Sequence, residues 1–369
     1  MSVSSSTNDV IANGSDMALP STFRKLVVTK LTKKFREAVV IKTVPMLKPG
    51  PQEVVVRNRF VGINASDINK TAGIYNLAKE ENPPFDLGFE GVGEVVDVGK
   101  EVTNVKIGQS VCFMCLSAYG EYVLLHKLQA FPIPSVKPEY IGILISGLTA
   151  DLALQESGKL QKGETVLVTA AAGGTGQLAV QYAKLAGCHV IGTCSSESKA
   201  EFLKSIGCDR AIIYTTENLL EVLRKEYPKK IDVVYECVGG ETFETCFDWL
   251  APMGRMIILG FVSAYAEGSS VAISQLKPGQ LMRVLVFSLS VSGFYLHTYH
   301  NKFGESFARQ AEHLAKGSVK VTLDYGKNSE KGPFKGLEGI ADAVEFLYSR
   351  KSQGKVVVEL NEARPTTGL

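Results

Sequence analysis

Val166-Leu167-Val168-Thr169-Ala170-Ala171-Ala172-Gly173-Gly174-Thr175-Gly176-Gln177 decides the fold of this 369-residue chain. It opens as a short apolar strand, passes through a tight glycine turn, and runs into residues 177–185, which have helix period. Glycine at 173, 174 and 176 lets the backbone approach a pyrophosphate. The helix that follows begins with free N–H groups and the positive end of its dipole. Ala171 stands where G-x-G-x-x-G has its first glycine, so the pattern alone is imperfect. Its setting, after a strand and opening a helix, points to a dinucleotide held by Gly173, Gly174, Thr175 and Gly176. A structural turn without ligand is the alternative.

Downstream of this loop, apolar runs alternate with helical stretches. Residues 189–194 read as a second strand, 199–206 as a helix, 211–214 as a third strand and 219–225 as a helix. Residues 231–235 and 256–259 follow as strands. Such alternation implies parallel crossovers and an α/β fold of the Rossmann type, a doubly wound parallel sheet. Upstream, from Arg24 to about Pro138, short β-branched runs (53–56, 93–98, 122–125) are separated by Gly and Pro. After Phe294 come a helix, 305–316, and strand-like segments at 319–323 and 355–360. A β-rich half, a Rossmann-like middle and a short β-containing return predict a discontinuous first domain. The expected boundaries are a disordered tail at 1–22, a first part at 23–145, the dinucleotide domain at 146–300 and the return at 301–369.

With 40 Lys+Arg against 38 Asp+Glu, the net charge of +2 argues against nucleic acid or an anionic membrane as partner. No stretch reaches the ~18 uncharged apolar residues of a membrane span; even 281–291 contains Arg283. Seven cysteines, an odd count spread over a long chain, suit reduced thiols better than a disulfide framework. The first 23 residues hold no Lys or Arg and fit neither a secretory signal nor a transit peptide, so a cytoplasmic protein is expected. The final Thr-Thr-Gly-Leu is not the Ser-Lys-Leu peroxisomal address.

The second strand decides between the nicotinamide cofactors. An NAD site has an acid there for the ribose diol. Here the strand ends Thr193-Cys194-Ser195-Ser196-Glu197-Ser198-Lys199. Ser195 is small and neutral, and Lys199 suits a 2′-phosphate, so NADP(H) is expected; Glu197 is the dissenting residue that could hold a diol.

Three further stretches carry a resemblance. They are Arg57-Asn58-Arg59-Phe60-Val61-Gly62-Ile63-Asn64-Ala65-Ser66-Asp67-Ile68-Asn69, Gly88-Phe89-Glu90-Gly91-Val92-Gly93-Glu94-Val95-Val96 and Pro134-Ser135-Val136-Lys137-Pro138-Glu139-Tyr140. With the 170–176 loop and Cys194-Ser195-Ser196, the chain resembles the medium-chain dehydrogenase/reductase superfamily over residues 25–360. It is most similar to the zinc-free quinone oxidoreductase and prostaglandin reductase branch. The resemblance implies that the discontinuous β-rich domain is GroES-like, and it makes a peroxisomal location the alternative to the cytoplasm. In zinc alcohol dehydrogenases of this superfamily, a Cys and a His hold the metal where Asn64 and Phe89 stand, with a third ligand near Ile145. No Cys, His, Asp or Glu lies between Tyr140 and Ala150, so a catalytic zinc is not expected. Cys112 and Cys115 read either as a redox pair or as two strand residues, and His297 and His300 as an ordinary loop. Glu90 is expected to have a structural hydrogen-bonded role.

The same resemblance places Tyr214 near the adenine ribose phosphate, and Cys237 and Leu259 at strand ends that face the cofactor. It places Tyr265 near the nicotinamide half, and Phe294, Tyr295 and Leu296 where backbone holds the carboxamide. The family's Asn-x-Gly-Lys is Ser352-Gln353-Gly354-Lys355 here, which puts the asparagine contact in doubt. Asn64 and Tyr75 are the candidate polar groups for substrate. Without a Lewis acid, hydride addition to a conjugated C=C, with charge spreading onto an enolate oxygen, is easier than alcohol–ketone interconversion. The expected activity is NADPH-dependent reduction of α,β-unsaturated ketones, with 15-oxoprostaglandin-like lipids as a substrate class. Quinone reduction is the enzymatic alternative, and a non-catalytic NADPH- or RNA-binding protein the alternative of another kind. A homodimer is expected from the resemblance and from the apolar run 284–291, read as an edge strand.

Overall fold

The computed structural model describes residues 19–74, 82–228, 231–265 and 278–362. Six strands lie side by side in the order Arg210–Ile213, His189–Cys194, Thr165–Val168, Ile231–Glu236, Leu250–Ile258 and Ser290–Gly293. Every neighbouring pair is parallel. Successive side chains of a strand alternate between faces, and here both faces are covered. Val166 and Val168 pack with Val190, Val233 and Tyr235 on one side. Leu167 packs with Ile191, Val234 and Met256 on the other. That double burial is why these strands read as continuous apolar runs.

Two of the helices between them start at side-chain caps. Ser196 Oγ accepts from the Lys199 amide ahead of Glu197–Ser205, and Asn218 Oδ1 from the Glu221 amide ahead of Leu219–Glu226. The strand order reverses between Thr165–Val168 and Ile231–Glu236, and open α/β sheets bind ligands beyond the strand ends at such a point.

A second sheet runs Leu323–Asp324, Lys355–Glu359, Glu53–Gly62, Glu90–Val98, Ser110–Met114 and Ala130–Pro132, with Tyr122–His126 also paired to Glu53–Gly62. Lys355–Glu359 pairs antiparallel with the far end of Glu53–Gly62, so chain from the C-terminal return completes a sheet begun near the N-terminus. A small sheet of Val39–Pro45, Thr22–Val28 and Phe85–Asp86 covers one side. Strand begins at Thr22, inside the expected tail, of which residues 1–18 lie outside the described part.

Two sequence expectations change. The run 284–291 was expected to be strand, but Pro278–Val286 is helix and only Ser290–Gly293 joins the sheet. Val284 packs against the core while Leu281, Met282, Leu285 and Val286 stay exposed, which is a helical spacing of buried and exposed positions. Of 319–323, only Leu323 lies in a paired strand. Helical turns at 139–158, Gly240–Asp248 and Gly339–Tyr348 were not foreseen.

Among the described residues no helix is long and apolar enough to cross a membrane.

Candidate active site

The glycine loop leaves the sheet at Val168 and enters Gly176–Leu185. Ala170 takes the left-handed backbone conformation (φ 49°), which costs a non-glycine residue ~1–2 kcal/mol. Ala171, at the missing first glycine, keeps an ordinary backbone and is fully buried. Its methyl has room because Gly192 faces it across the sheet, where a side chain would come within 2.9 Å. The space that the family pattern makes in the loop is made here on the neighbouring strand.

Gly176 packs against Ala170 and Ala171, and a Cβ there would lie 2.5 Å from the Ala170 carbonyl oxygen. A Cβ on Gly174 would meet Ser146 Oγ at 3.0 Å and Lys355 Cδ at 3.2 Å. Thr175 Oγ1 donates to the Ser146 carbonyl at 3.0 Å and lies 2.6 Å from the Tyr235 hydroxyl. Gly173 forms an isolated bridge with Gly354. The turn is thus a bare backbone cradle that a side chain would fill, and its residues fit a pyrophosphate.

Because all six strands are parallel, the remaining expected cofactor residues fall along one edge. Ser195 and Lys199 are together: the ammonium lies 3.2 Å from Ser195 Oγ and donates to the Arg350 carbonyl at 2.7 Å. Among the described residues no carboxylate is within salt-bridge distance of it; burial lowers its pKa, and Cys194 and the more distant Asp324 carboxylate raise it. That is a cation prepared for an anion, and it fits a phosphate. Tyr214 is exposed, its amide bonded to the Cys194 carbonyl. Cys237 follows Ile231–Glu236, its amide donating to Thr169 Oγ1 at 2.8 Å. The Leu259 amide bonds Glu236 O, and the Phe294 amide bonds Ile258 O. Tyr265 accepts from the Phe261 amide at 2.8 Å and hydrogen-bonds Asn69. Phe294 stacks on Tyr299 at 4.8 Å, Tyr295 is exposed, Leu296 is buried, and Ser352 is buried beside the loop's Gly354 contact. Tyr75 lies outside the described residues.

Asn64 and Ile145, two of the three positions where metal relatives place ligands, both bond to Glu90, the residue that follows the third, Phe89. There Glu90 forms a buried ion pair. Lys355 Nζ lies 2.5 Å from Glu90 Oε1, and both side chains are almost wholly out of solvent. Asn64 Oδ1 accepts from Lys355 at 2.7 Å, and Asn64 Nδ2 donates to Glu90 Oε1 at 2.9 Å. Ile145 donates its amide to Glu90 Oε2 at 2.8 Å. That amide is available because the helical path breaks at Leu144 (ψ −114°). Gly62 is required beside them, since a Cβ would sit 2.6 Å from Glu90 Oε1. Glu90 therefore has the structural hydrogen-bonded role read from the sequence. Lys355 as its partner was missed; the only signal was the Gly354-Lys355 pair.

Cys112 lies within Ser110–Met114 and Cys115 just after it. Burial pushes both thiols up, Cys115 to about 11, which is wrong for a redox pair. Among the described residues, no three Cys, His, Asp or Glu side chains are placed to hold a metal.

Asp67 lies beside this network, fully buried, accepting from Tyr119 OH at 2.7 Å and from the Asn64 amide at 2.8 Å. Burial pushes its carboxyl up to about 7; Tyr119, the Asn64 amide and the Lys355 ammonium pull it down, and Glu90 pushes it up. Between the ordinary value of 3.8 and that raised one, the folded chain keeps a proton the unfolded chain has released. This group therefore makes folding less favourable as pH rises through that window. Asp67→Asn is expected to gain melting temperature relative to the wild type from pH 4 to 8. Melting curves of the two proteins at paired pH values check it; a constant difference would refute it.

Residues 174–312 match the family described as zinc-binding dehydrogenase, and residues 50–135 the alcohol dehydrogenase GroES-like domain. The chain is 49% identical to prostaglandin reductase-3 of Mus musculus over 346 residues, 93% of this chain and 91% of that protein. It is 44% identical to a probable quinone oxidoreductase of Leishmania amazonensis, covering 93% of this chain and all of the relative. The solved structure of Escherichia coli quinone oxidoreductase complexed with NADPH superposes with a TM-score of 0.76 at 27% identity, covering 91% of this chain and 99% of that one. The chain belongs to the medium-chain dehydrogenase/reductase family, in the branch that holds quinone oxidoreductases and prostaglandin reductases.

Proposed function

We propose that the chain is an NADPH-dependent reductase of the C=C bond of α,β-unsaturated ketones, with 15-oxoprostaglandin-like lipids as a substrate class. The observation that carries this reading is the Lys355–Glu90–Asn64 network, which holds one metal-ligand position through Asn64 and a second through the Ile145 amide, next to the glycine cradle. The 49% identity to prostaglandin reductase-3 supports it. The cofactor, when bound, supplies a hydride to the β-carbon of the enone, and water supplies a proton to the α-carbon. Gly173, Gly174 and Gly176 would hold its pyrophosphate, with Thr175 anchoring the turn through Ser146 and Tyr235. Cys237, Leu259, Phe294, Tyr295 and Leu296 would line its nicotinamide half, with Tyr265 and Ser352 as further contacts. Asn64 would donate to the substrate carbonyl, and preorganised donors of this kind act where charge develops. Quinone reduction is a second reading, favoured by the 44% identity to a probable quinone oxidoreductase. We place the protein in the cytoplasm, consistent with seven free cysteines.

NADPH consumption across enones, quinones and aldehydes tests the activity. Enones are expected to be reduced fastest, with turnover unchanged by strong chelator and zinc well below one per chain by elemental analysis. Chelator-sensitive turnover with one zinc per chain would refute the metal-free reading.

Cofactor choice is expected to depend on Lys199. A charge-assisted hydrogen bond contributes ~1.5–3 kcal/mol, or on the order of ten- to a hundredfold in affinity. Lys199→Ala should weaken NADPH binding by about that factor and leave NADH nearly unchanged, as read by fluorescence titration; Tyr214→Phe should act in the same direction, less strongly. Equal losses for both cofactors would point to damaged folding, and a wild-type preference for NADH would hand the ribose to Glu197.

A homodimer is the proposed assembly. Ser290–Gly293 is the edge of the parallel sheet, and the adjoining Pro278–Val286 exposes Leu281, Met282, Leu285 and Val286. An uncovered edge and an apolar helix face suit a second copy about a two-fold axis. Light scattering at micromolar concentration should give twice the chain mass, and a monomer would refute it.

A further inference from the structure

A site without metal needs another source of charge if the Asn64 side chain is to be a strong donor to a substrate carbonyl. A buried ammonium supplies it. The Asn64 amide is held between the Lys355 ammonium at its oxygen and the Glu90 carboxylate at its nitrogen, at 2.7 and 2.9 Å. A flipped amide would set N–H against ammonium and oxygen against carboxylate, so the orientation is forced. Hydrogen bonds in such a chain polarise one another: an ammonium on the carbonyl oxygen withdraws electron density and strengthens the N–H as donor. Only one Nδ2 proton is used by Glu90. Among the described residues the other has only the Gly62 carbonyl at 3.5 Å, the outer limit of a hydrogen bond.

The ammonium itself is fixed from both halves of the fold. Its stem runs under Gly174, whose Cβ would touch Lys355 Cδ, while its backbone belongs to the Lys355–Glu359 strand of the second sheet. Lys355 Nζ has two acceptors among the described residues, Glu90 and Asn64, although an ammonium offers three protons.

We propose that Lys355 is the positioning cation of this site: it supplies the positive charge that a metal supplies in zinc relatives, and acts through Asn64 to stabilise an oxyanion on the substrate. The proposal rests on the reductase reading for its natural substrate, an enone whose carbonyl oxygen gains charge as hydride adds to the β-carbon. The oxyanion site is a property of these three side chains and can be probed without turnover.

The probe is 4-nitrophenol bound to the NADP⁺ complex, whose ionised fraction is read from its visible absorbance. In the wild type the bound phenol should ionise at lower pH than in free solution. Removing half of a buried pair can unfold the chain, so the informative variant removes both charges together: Lys355→Met with Glu90→Gln. It should melt cooperatively, bind NADPH with unchanged affinity, lose the phenol's ionisation shift, and lose about a hundred- to a thousandfold in kcat with little change in KM. Such a loss is that of an oxyanion donor. Glu90→Gln alone keeps the cation and removes an anion; read below its own melting transition and saturated with NADP⁺, it should keep or enlarge the ionisation shift, whereas a merely structural role predicts loss in both variants. A wild-type complex that leaves the phenol's ionisation unmoved overturns the proposal. So does a doubly neutral variant that keeps both the shift and kcat. If the wild type shows the shift but reduces neither enones nor quinones, the reductase reading fails and the assignment of Lys355 stands.

Discussion

A lysine ammonium with almost no exposure to water is the constraint around which the site is built. Desolvating an ammonium costs several kcal/mol, repaid only by a close counter-charge with good geometry. Glu90 is that counter-charge at 2.5 Å. Its carboxylate also needs desolvation repaid, so its other oxygen takes the Ile145 amide, which is free only because the helical path breaks at Leu144. Gly62 must lack a side chain for Glu90 to sit there, and Gly174 must lack one for the lysine stem to pass. Removing one partner would leave an uncompensated charge, a loss of ~3–5 kcal/mol in buried pairs generally. Two glycines, a helix break and an asparagine rotamer thus follow from one ion pair.

The second organising element is the edge of the parallel sheet. Glu236, wholly buried at the end of Ile231–Glu236, accepts from the Val238 and Gly239 amides at 2.9 and 3.0 Å. It sets the turn that carries Cys237, although burial raises its pKa. Across the switch point, Thr169 accepts from the Cys237 amide and lies within reach of Glu236, so the two strands that flank it are tied where they end. The sheet delivers residues to one edge by topology; these side chains fix how the turns leave it.

Much of the parallel sheet was legible because double burial writes itself as short apolar runs of fixed length. The strands at 189–194 and near 211–214 and 231–235 stand within a residue or two of their expected places. Segment 284–291 was not, because β-branched and apolar residues in a short run fit strand and helix alike, and only packing separates them. The glycine turn was legible even with Ala171 in it, but its compensation at Gly192 was not, since no local pattern links positions twenty-one residues apart. That Asn64, Phe89 and Ile145 are not Cys, His or acidic residues is readable in the sequence; the ammonium bonded to Asn64 is not. Lys355 lies 291 residues from Asn64, and a lone lysine ahead of a β-branched run reads as a solvated strand start.

One short stretch of chain joins the two ends of the proposed cofactor path. Arg350, in the left-handed conformation after Gly339–Tyr348, offers its carbonyl to Lys199 at 2.7 Å. Four residues later the Gly354 amide bonds the Ala172 carbonyl of the glycine turn at 2.8 Å. The next residue is Lys355. The return segment thus touches Lys199, the glycine turn and, through Lys355, Asn64 and Glu90 in six consecutive residues. It belongs to the second sheet through Lys355–Glu359. That arrangement gives a physical reason for the chain to leave the β-rich domain, build the parallel sheet and come back. A strand that returns from beyond the parallel sheet carries a cation to partners, Asn64 and Glu90, that lie in the β-rich stretch before it, with the glycine turn beside its stem.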